Sequence, residues 1–331
     1  MTAGIAVARP DTQRAIAVVA GVLVDANARV LIARRAATGS EAGKWEFAGG
    51  KVRPGESAIA ALGRELAEEL GIQISAAEPL SVVRWRGPPR PLNLHTFTVR
   101  GWHGNPHPHE HQALRWVAPA ELIHYPMPAP DRPIRARLAL PRQYLITPEP
   151  GANPHDFVED FARAIDQRDV GMVSLRAKQM EGAALAALAE RVLARARAQR
   201  PELIVLIHGA VEIAVNLGFD GVHLSARQLA QMPTRPMAES AWVLASCHSS
   251  AELAAAESLG ADAATLSPLR STRSHPLATP IGWGRLTRCV KRTWLPIYAL
   301  GGVVREDFAQ ASALGAHGIA AIRGFWGSGG G

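Results

Sequence analysis

Short apolar runs of the β type dominate the first part of the chain. Residues 16–24 (IAVVAGVLV) and 29–34 (RVLIAR) are rich in Val, Ile and Leu, and the polar DANA segment between them predicts a hairpin turn. Residues 92–100 (LNLHTFTVR) alternate in polarity, and residues 114–117 (LRWV) form another short run. These patterns predict four strands, followed by a short helix around residues 118–123.

An amphipathic helix is predicted between the second and third of these strands. Ser57 can cap its N-terminus, and Gly71 can end it in a left-handed conformation. Leucines recur at steps of four as Leu62, Leu66 and Leu70. This spacing, with Ala58 in the same row, predicts the buried face of the helix.

Three glutamates crowd another face of this helix. Glu65, Glu68 and Glu69 are three and four residues apart, a spacing at which like charges repel by about 0.2–0.5 kcal/mol per pair. Helical periodicity alone favours a solvated acidic face. The preceding glycine loop favours a different interpretation, because glycine lets the backbone approach a ligand and clustered carboxylates suit hard cations such as Mg²⁺.

A different pattern of apolar and helical segments begins at Tyr144 and continues almost to the end of the chain. Eight short apolar runs alternate there with alanine-rich helical segments, which predicts a compact parallel (β/α)8 barrel of the TIM type. The runs are YLIT, MVSLRA, LIVLIH, DGVHL, WVLASC, DAATLSP, PIYALGG and HGIAAIRG. The proline-rich residues 125–150 precede and overlap the first run and predict a domain junction.

Composition indicates an ordinary globular protein. The chain has 331 residues, of which 47% are apolar and 20% charged, and this length favours two domains. No apolar run reaches about 18 residues, so no membrane span is expected. Cys247 and Cys289 show no metal-ligand spacing, and the N-terminus lacks a secretory pattern, so a reduced, cytoplasmic chain is expected.

Positive charge is concentrated in the first part of the chain. Residues 1–142 carry 18 Lys and Arg against 12 Asp and Glu, whereas residues 143–331 carry 18 against 17. This excess favours a phosphorylated ligand. Because no block of Lys and Arg occurs, a small phosphorylated substrate is favoured over direct binding of nucleic acid.

The glycine loop and the acidic helix together resemble the Nudix box, G-x5-E-x7-R-E-U-x-E-E-x-G-U. Its fixed positions are occupied by Gly50, Glu56, Arg64, Glu65, Leu66, Glu68, Glu69, Gly71 and Ile72. Membership of that family implies an α/β/α sandwich that hydrolyses a nucleoside diphosphate linked to another group. The surrounding LIARRAATGSEAGKWEFAGGKV resembles the MutT type, which hydrolyses 8-oxo-dGTP to a nucleoside monophosphate and pyrophosphate.

The resemblance implies roles for residues outside the box as well. The nucleotide pocket would include Arg35, Glu46, Phe47, Arg90 and Asp131. Asp131 stands where the family has an asparagine that reads the purine edge; an ionised carboxylate only accepts hydrogen bonds, whereas an amide also donates.

Metal binding is implied for Gly49, through its carbonyl, and for Glu65, Glu68, Glu69 and Glu110. The implied cofactor is Mg²⁺, with Mn²⁺ as an alternative. Glu65 is the first candidate for the general base and Glu110 the second, Arg64 would hold neighbouring glutamates, and Glu56 would anchor the loop. Glu110 lies in the run HGNPHPHEH, whose four histidines show no zinc-ligand spacing and predict a flexible loop.

The barrel resembles thiamine-phosphate synthase and its TenI-like relatives in the motifs YLITP, VSLRAK, GFDGVHLS, GADAATLSP and YALGG. The resemblance implies a phosphate or ligand site at Arg176, Lys178, Ser246, Gly301 and Gly302. The metal-binding residues of the synthase are absent, because His208 and Gly209 replace its Asn-Asp pair and Gln228 replaces its second metal-binding aspartate. Ser174, Pro268 and His275 replace further functional residues, so synthase activity is not expected.

The predicted domain limits combine these patterns and resemblances. They are a tail at residues 1–14, a Nudix domain at 15–138, a linker at 139–142, a barrel at 143–326 and a tail at 327–331. The favoured function is removal of oxidised purine triphosphates from the pool used for DNA synthesis. The alternatives are a Nudix hydrolase of another nucleotide or thiamine-related diphosphate, with the barrel binding a phosphorylated ligand, and a non-catalytic sensor.

Overall fold

The computed structural model describes residues 15–38, 41–87, 90–271 and 279–326. The chain divides into two compact units, Met1–Val117 and Ala118–Gly331. The predicted tails at residues 1–14 and 327–331, and His275, lie outside the described residues.

The first unit is built from two small sheets and a helix. In chain order its elements are β1 (Ile16–Leu23), β2 (Val30–Arg34), β3 (Trp45–Glu46), α1 (Ala58–Leu70), β4 (Gln73–Trp85), β5 (Leu92–His103) and β6 (Ala113–Val117). One sheet has the order β1-β5-β4, with β1 parallel and β4 antiparallel to β5. The other is antiparallel and has the order β3-β2-β6.

The strands predicted near residues 92–100 and 114–117 are confirmed as β5 and β6. The prediction that residues 16–24 and 29–34 form a β-hairpin is wrong beyond the turn between them. Val24 and Val30 form a single antiparallel bridge, but β1 and β2 then pair with other strands and belong to different sheets. The sequence pattern did not reveal β4, which contains Pro79 and three register shifts and therefore lacks regular alternation.

Local sequence determines both ends of α1, as predicted. The Ser57 hydroxyl accepts a hydrogen bond from the Ala60 N–H at 3.2 Å, and Gly71 ends the helix with a left-handed φ of 68°. Leu62, Leu66 and Leu70 are fully buried. Their burial fixes the rotation of α1 and leaves the glutamates on a different face.

The second unit contains the predicted closed barrel of eight parallel strands, each paired with the next and the last with the first. The strands are β7 (Gln143–Ile146), β8 (Met172–Leu175), β9 (Ile204–His208), β10 (Gly221–Leu224), β11 (Trp242–Cys247), β12 (Ala263–Leu266), β13 (Ile297–Leu300) and β14 (Gly318–Ala321). All eight lie within the predicted runs or overlap them. The mixed α/β class and the barrel are thus confirmed.

Helices follow the barrel strands along the chain. They are α3 (Pro154–Ile165), α4 (Gly182–Gln199), α5 (Val211–Leu217), α6 (Ala226–Gln231), α7 (Ser250–Leu259), α8 (Gly282–Val290) and α9 (Phe308–Ala313). Across the described part of the chain, no helix is both long enough and apolar enough to cross a membrane.

A segment before the barrel packs against its strands. It comprises a 3₁₀ helix at Pro119–His124, where a helix was expected, a second 3₁₀ turn at Ala129–Asp131, and α2 (Arg132–Ala139). Ile123, Ala136 and Leu140 join the core cluster formed by residues of the barrel strands. These contacts place the segment in the second unit. The domain limits predicted from the sequence, 15–138 for the Nudix domain, 139–142 for the linker and 143–326 for the barrel, stay predictions.

A buried charge network holds α2 to the barrel. Asp262, just before β12, accepts hydrogen bonds from Arg135 at 3.4 Å, from Arg235 at 2.7 Å and from the Val243 N–H at 2.9 Å. Arg135 is fully buried and lies over the Trp242 ring. Asp262 and Trp242 mark the amino ends of β12 and β11, so α2 covers that end of the barrel.

Asp262→Asn is expected to lower the free energy of unfolding by about 3–5 kcal/mol, because it leaves two arginines without their buried counter-charge. Arg135→Met is the matched control, since Asp262 keeps Arg235 and the Val243 N–H, and it should cost less than half as much. Urea unfolding of the full chain, followed by circular dichroism, measures both losses. Equal losses for the two variants would contradict this account of the network.

Candidate functional site

Arg64 is the centre of a charged cluster on α1. Its Nε and Nη2 donate to the two carboxylate oxygens of Glu56 at 2.9 and 3.0 Å, and its Nη1 donates to Glu65 at 2.8 Å and Glu68 at 3.1 Å. The hydrogen bonds from Arg64 lower the pKa of Glu56 to about 2. One guanidinium therefore offsets the mutual repulsion of three carboxylates.

The loop before α1 approaches these carboxylates through two glycines. The Gly49 N–H donates to Glu69 at 2.9 Å. A Cβ at Gly49 would lie 2.1 Å from the Val19 carbonyl oxygen, and a Cβ at Gly50 would lie 2.3 Å from the Glu65 carboxylate. A side chain at Gly49 would therefore displace the loop from β1, and one at Gly50 would displace the Glu65 carboxylate.

Glu69 lies in a less polar environment than the other glutamates of α1. Burial raises its pKa to about 7; the charges of Glu46 and Glu65 also raise it, whereas His111 and the Gly49 N–H act in the opposite direction. The carboxylate is thus poorly compensated by the protein itself.

His111 connects Glu69 to the predicted nucleotide pocket. Its Nε2 lies 3.2 Å from a Glu46 oxygen and 4.0 Å from a Glu69 oxygen, and its side chain is only 5% exposed. Burial lowers the pKa of His111, but the hydrogen bond to Glu46 and the nearby carboxylates outweigh it and raise the pKa overall. Arg35 pairs with Glu46, so a chain of polar contacts runs from Arg35 to Glu69.

Sequence patterns did not identify His111. Its loop is attached to the end of α1, because the His107 and His109 N–H groups donate to the carbonyls of Leu70 and Glu69. The adjacent Glu110, the predicted distant metal ligand, is exposed. The histidine-rich run was the only local signal, and it does not show which histidine is buried.

The remaining predicted nucleotide residues occupy different environments. Phe47 is buried in the first unit, and Arg90 is exposed. Asp131 is buried in the second unit, immediately before α2. The structure therefore brings Arg35 and Glu46 together, and the roles of Phe47, Arg90 and Asp131 stay predictions.

Among the described residues, no three His, Cys, Asp or Glu side chains converge on one metal position. Glu65 and Glu68 face Arg64, and Glu69 faces the Gly49 N–H. The donor set still fits a divalent cation in its chemistry. It supplies hard oxygen ligands, Glu68 is 45% exposed, and Glu69 lacks a full counter-charge.

The barrel contains a cavity of about 500 Å³ at the carboxyl ends of its strands. All five ligand residues predicted for the barrel line it: Arg176, Lys178, Ser246, Gly301 and Gly302. This end of a parallel barrel is where the loops that bind ligands meet. The structure thus brings the five predicted residues together around one cavity. Their role in binding stays a prediction.

Two glycines shape one wall of this cavity. Gly301 and Gly302 have φ values of 98° and 69°. A Cβ at Gly301 would lie 2.8 Å from the Pro268 Cα, and a Cβ at Gly302 would lie 2.8 Å from the Arg270 Cβ. Both the backbone conformation and the close neighbours therefore require glycine.

Two residues at replaced synthase positions, Gln228 and His208, lie in different environments. Gln228 donates to the Gly209 carbonyl at 2.7 Å and accepts from Ser225, so its amide is engaged within the loop. His208 lines the cavity. No Asp or Glu occurs among the described residues that line it.

Comparison with known proteins matches each half of the chain to a family. The family described as "Thiamine monophosphate synthase" matches residues 143–325, and the family described as "NUDIX domain" matches residues 14–138. "Putative thiamine-phosphate synthase 2" of Aquifex aeolicus (strain VF5) is 35% identical over 188 residues, which make up 56% of this chain and 97% of that protein.

Several relatives match the first half of the chain. "CTP pyrophosphohydrolase" of Escherichia coli (strain K12) is 42% identical over 116 residues, or 35% of this chain and 86% of that protein. "Putative 8-oxo-dGTP diphosphatase 2" of Mycobacterium tuberculosis (strain CDC 1551 / Oshkosh) is 43% identical over 109 residues, or 32% of this chain and 74% of that protein. The chain therefore belongs to the thiamine monophosphate synthase family through its barrel and carries a Nudix domain ahead of that barrel.

Proposed function

We propose that the Nudix domain hydrolyses nucleoside triphosphates to monophosphates and pyrophosphate, with 8-oxo-dGTP as its main substrate. The observation that carries this proposal is the cluster in which Arg64 binds Glu56, Glu65 and Glu68. It places several carboxylates beside a glycine loop, as a phosphate chain with bound cations requires. Removing oxidised purine triphosphates in this way would protect DNA replication and reduce the need for DNA repair.

The residues that would hold the metal are Glu65, Glu68, Glu69, Glu110 and the Gly49 carbonyl. The proposed ion is Mg²⁺, with Mn²⁺ as the alternative; when bound, it would neutralise phosphate charge and lower the pKa of a coordinated water. Arg64 would keep Glu65 and Glu68 in place, and Glu56 would anchor Arg64. Glu65 is proposed as the general base that takes a proton from the attacking water, and Glu110 is the second candidate.

Substrate recognition is proposed for the polar pair of Arg35 and Glu46, together with Phe47, Arg90 and Asp131. The carboxylate of Asp131 favours a second candidate substrate. It can only accept hydrogen bonds, and the N4 amino group of cytosine is a donor. One relative is named as a CTP pyrophosphohydrolase, so cytosine triphosphates are the alternative to 8-oxo-dGTP.

A hydrolysis screen with Mg²⁺ should separate these substrates. The panel contains 8-oxo-dGTP, dGTP, CTP, ADP-ribose and thiamine diphosphate. We measure kcat/KM from pyrophosphate release for the triphosphates, from phosphate release for thiamine diphosphate and from AMP formation for ADP-ribose. We expect 8-oxo-dGTP to exceed dGTP and CTP by at least about tenfold. A higher value for CTP would replace the first substrate by the second, and comparable values throughout would refute a role in the nucleotide pool.

Glu68→Gln is expected to lower kcat by about 100-fold, because it removes a carboxylate charge from the proposed cation site. Glu78→Gln is the matched control, since Glu78 is exposed on β4 and should keep nearly full activity. Steady-state hydrolysis measures kcat, and electron paramagnetic resonance measures the binding of Mn²⁺ to each variant. Normal turnover of Glu68→Gln would remove Glu68 from the proposed metal ligands.

Gly50→Ala is expected to lower kcat by more than tenfold, because the new Cβ would meet the Glu65 carboxylate at 2.3 Å. Gly63→Ala is the matched control within the same motif. The nearest atom to a Cβ there is an Ile74 methyl carbon at 3.8 Å, and replacing glycine inside a helix should stabilise α1 by up to about 1 kcal/mol. Hydrolysis rates and unfolding midpoints of both variants test this contrast; equal activities would contradict it.

A further inference from the structure

Glu46 is held by donors on both of its carboxylate oxygens. Arg35 pairs with Oε2 through its Nη1, and the Nε2 of His111 lies 3.2 Å from Oε1. Because a carboxylate only accepts hydrogen bonds, the ring nitrogen that faces it carries the proton and donates. Hydrogen bonds with an ionised partner are about twice as strong as those between neutral groups. The carboxylate of Glu46 therefore has a defined orientation, and its remaining lone pairs point in fixed directions.

The backbone on either side of His111 is attached to two different elements. Before it, the His109 N–H donates to the Glu69 carbonyl at 3.0 Å; after it, the Gln112 N–H donates to the Arg34 carbonyl at 2.9 Å. The side chain of His111 is only 5% exposed. The ends of α1 and β2 thus determine the position from which the ring of His111 reaches Glu46.

Strand pairing explains why Glu46 and His111 meet. Ala33 of β2 pairs with Glu46 of β3 on one side and with Leu114 of β6 on the other. Directly paired residues of an antiparallel sheet place their side chains on the same face. Glu46 and the start of β6 are therefore neighbours across β2, with only the methyl group of Ala33 between them in that row.

Glu69 is the other carboxylate near His111, but its geometry is less favourable. The distance from the His111 Nε2 to the Glu69 Oε2 is 4.0 Å, which is too long for a hydrogen bond. The same oxygen already accepts from the Gly49 N–H at 2.9 Å. The ring nitrogen therefore donates to Glu46 and not to the predicted metal ligand.

We propose that His111 is a positioning residue for nucleotide specificity, which acts through Glu46 by fixing the carboxylate that accepts hydrogen bonds from the base of a nucleoside triphosphate. This inference rests on the proposed function, in which Glu46 belongs to the nucleotide pocket. A carboxylate that can rotate accepts from many arrangements of donors, whereas a fixed one favours the base whose N–H groups meet its lone pairs. His111 itself does not touch the nucleotide.

His111→Leu tests this role, since leucine fills much of the volume of the ring without a hydrogen-bond donor. Steady-state hydrolysis gives KM and kcat for the triphosphates of the panel. We expect KM of the preferred triphosphate to rise about tenfold, because its base loses a fixed acceptor, and KM of the least preferred to rise less than threefold. kcat should stay within about threefold for both. Unchanged KM values, equal rises for both substrates, or a loss confined to kcat would overturn the proposal.

Two further variants separate the donor from the bulk of the ring. His111→Gln keeps an amide N–H near the place of Nε2 and carries no charge, so its KM should lie within about threefold of that of the unaltered chain. His109→Leu is the matched control, because His109 lies in the same loop with an exposed side chain; it should change neither constant. A KM as high for His111→Gln as for His111→Leu would contradict a role for the donor.

A double-mutant cycle tests whether His111 acts through Glu46. In a Glu46→Ala background, His111→Leu should leave kcat/KM of the preferred triphosphate unchanged within about twofold, because the group that His111 positions is absent. A further tenfold loss in that background would show that His111 acts independently of Glu46. Circular dichroism confirms that each variant is folded in the assay, and His111→Met, which also lacks a donor, replaces His111→Leu if that variant is unfolded.

The role of His111 and the proposed function can fail separately. If the unaltered chain hydrolyses no triphosphate of the panel, the proposed function is wrong and the role of His111 falls with it. If the unaltered chain is active and His111→Leu matches it in every constant, only the role of His111 is wrong.

Discussion

Compensation of crowded carboxylates by Arg64 is the interaction on which the first unit depends. Glu56, Glu65 and Glu68 all accept hydrogen bonds from this one guanidinium, which allows α1 to carry negative charge at a spacing that would otherwise weaken a helix. The buried leucine face fixes the rotation of α1, and the glycine loop then comes within hydrogen-bonding distance of Glu69. Burial of the leucines and charge compensation by Arg64 therefore both keep the glutamates of α1 beside the glycine loop.

In the second unit, the two ends of the barrel differ in how their charges are paired. At the amino ends of the strands, Arg135 and Arg235 share the carboxylate of Asp262, so charges are paired where α2 covers the barrel. At the carboxyl ends, the cavity is lined by cations and imidazoles without a carboxylate in its described lining. Charge is therefore paired where α2 covers the barrel, whereas at the cavity Arg176 is paired with Glu149 and Lys178 has no ion-pair partner among the described residues.

Local patterns predicted α1 and the eight barrel strands because their signals are complete within short segments. Ser57, Gly71 and the leucine row define α1 without reference to the rest of the fold. The pairing of β1 with β5, the irregular β4 and the burial of His111 depend on contacts between distant segments. The packing of α2 on the barrel is likewise a long-range contact that its own sequence does not reveal.

The two candidate sites carry side chains of opposite charge. In the Nudix domain the protein supplies mainly carboxylates, so a phosphate chain would be attracted only through cations that neutralise both partners. In the barrel the protein supplies the cations itself, and a carboxylate-bound metal would have no ligands in the described lining. The acidic cluster of the first unit therefore suits cations, and the basic lining of the barrel cavity suits anions. By resemblance to the synthase, His208 and Gly209 stand where it has an Asn-Asp pair and Gln228 where it has an aspartate, so the barrel lacks the carboxylates that would bind a metal there.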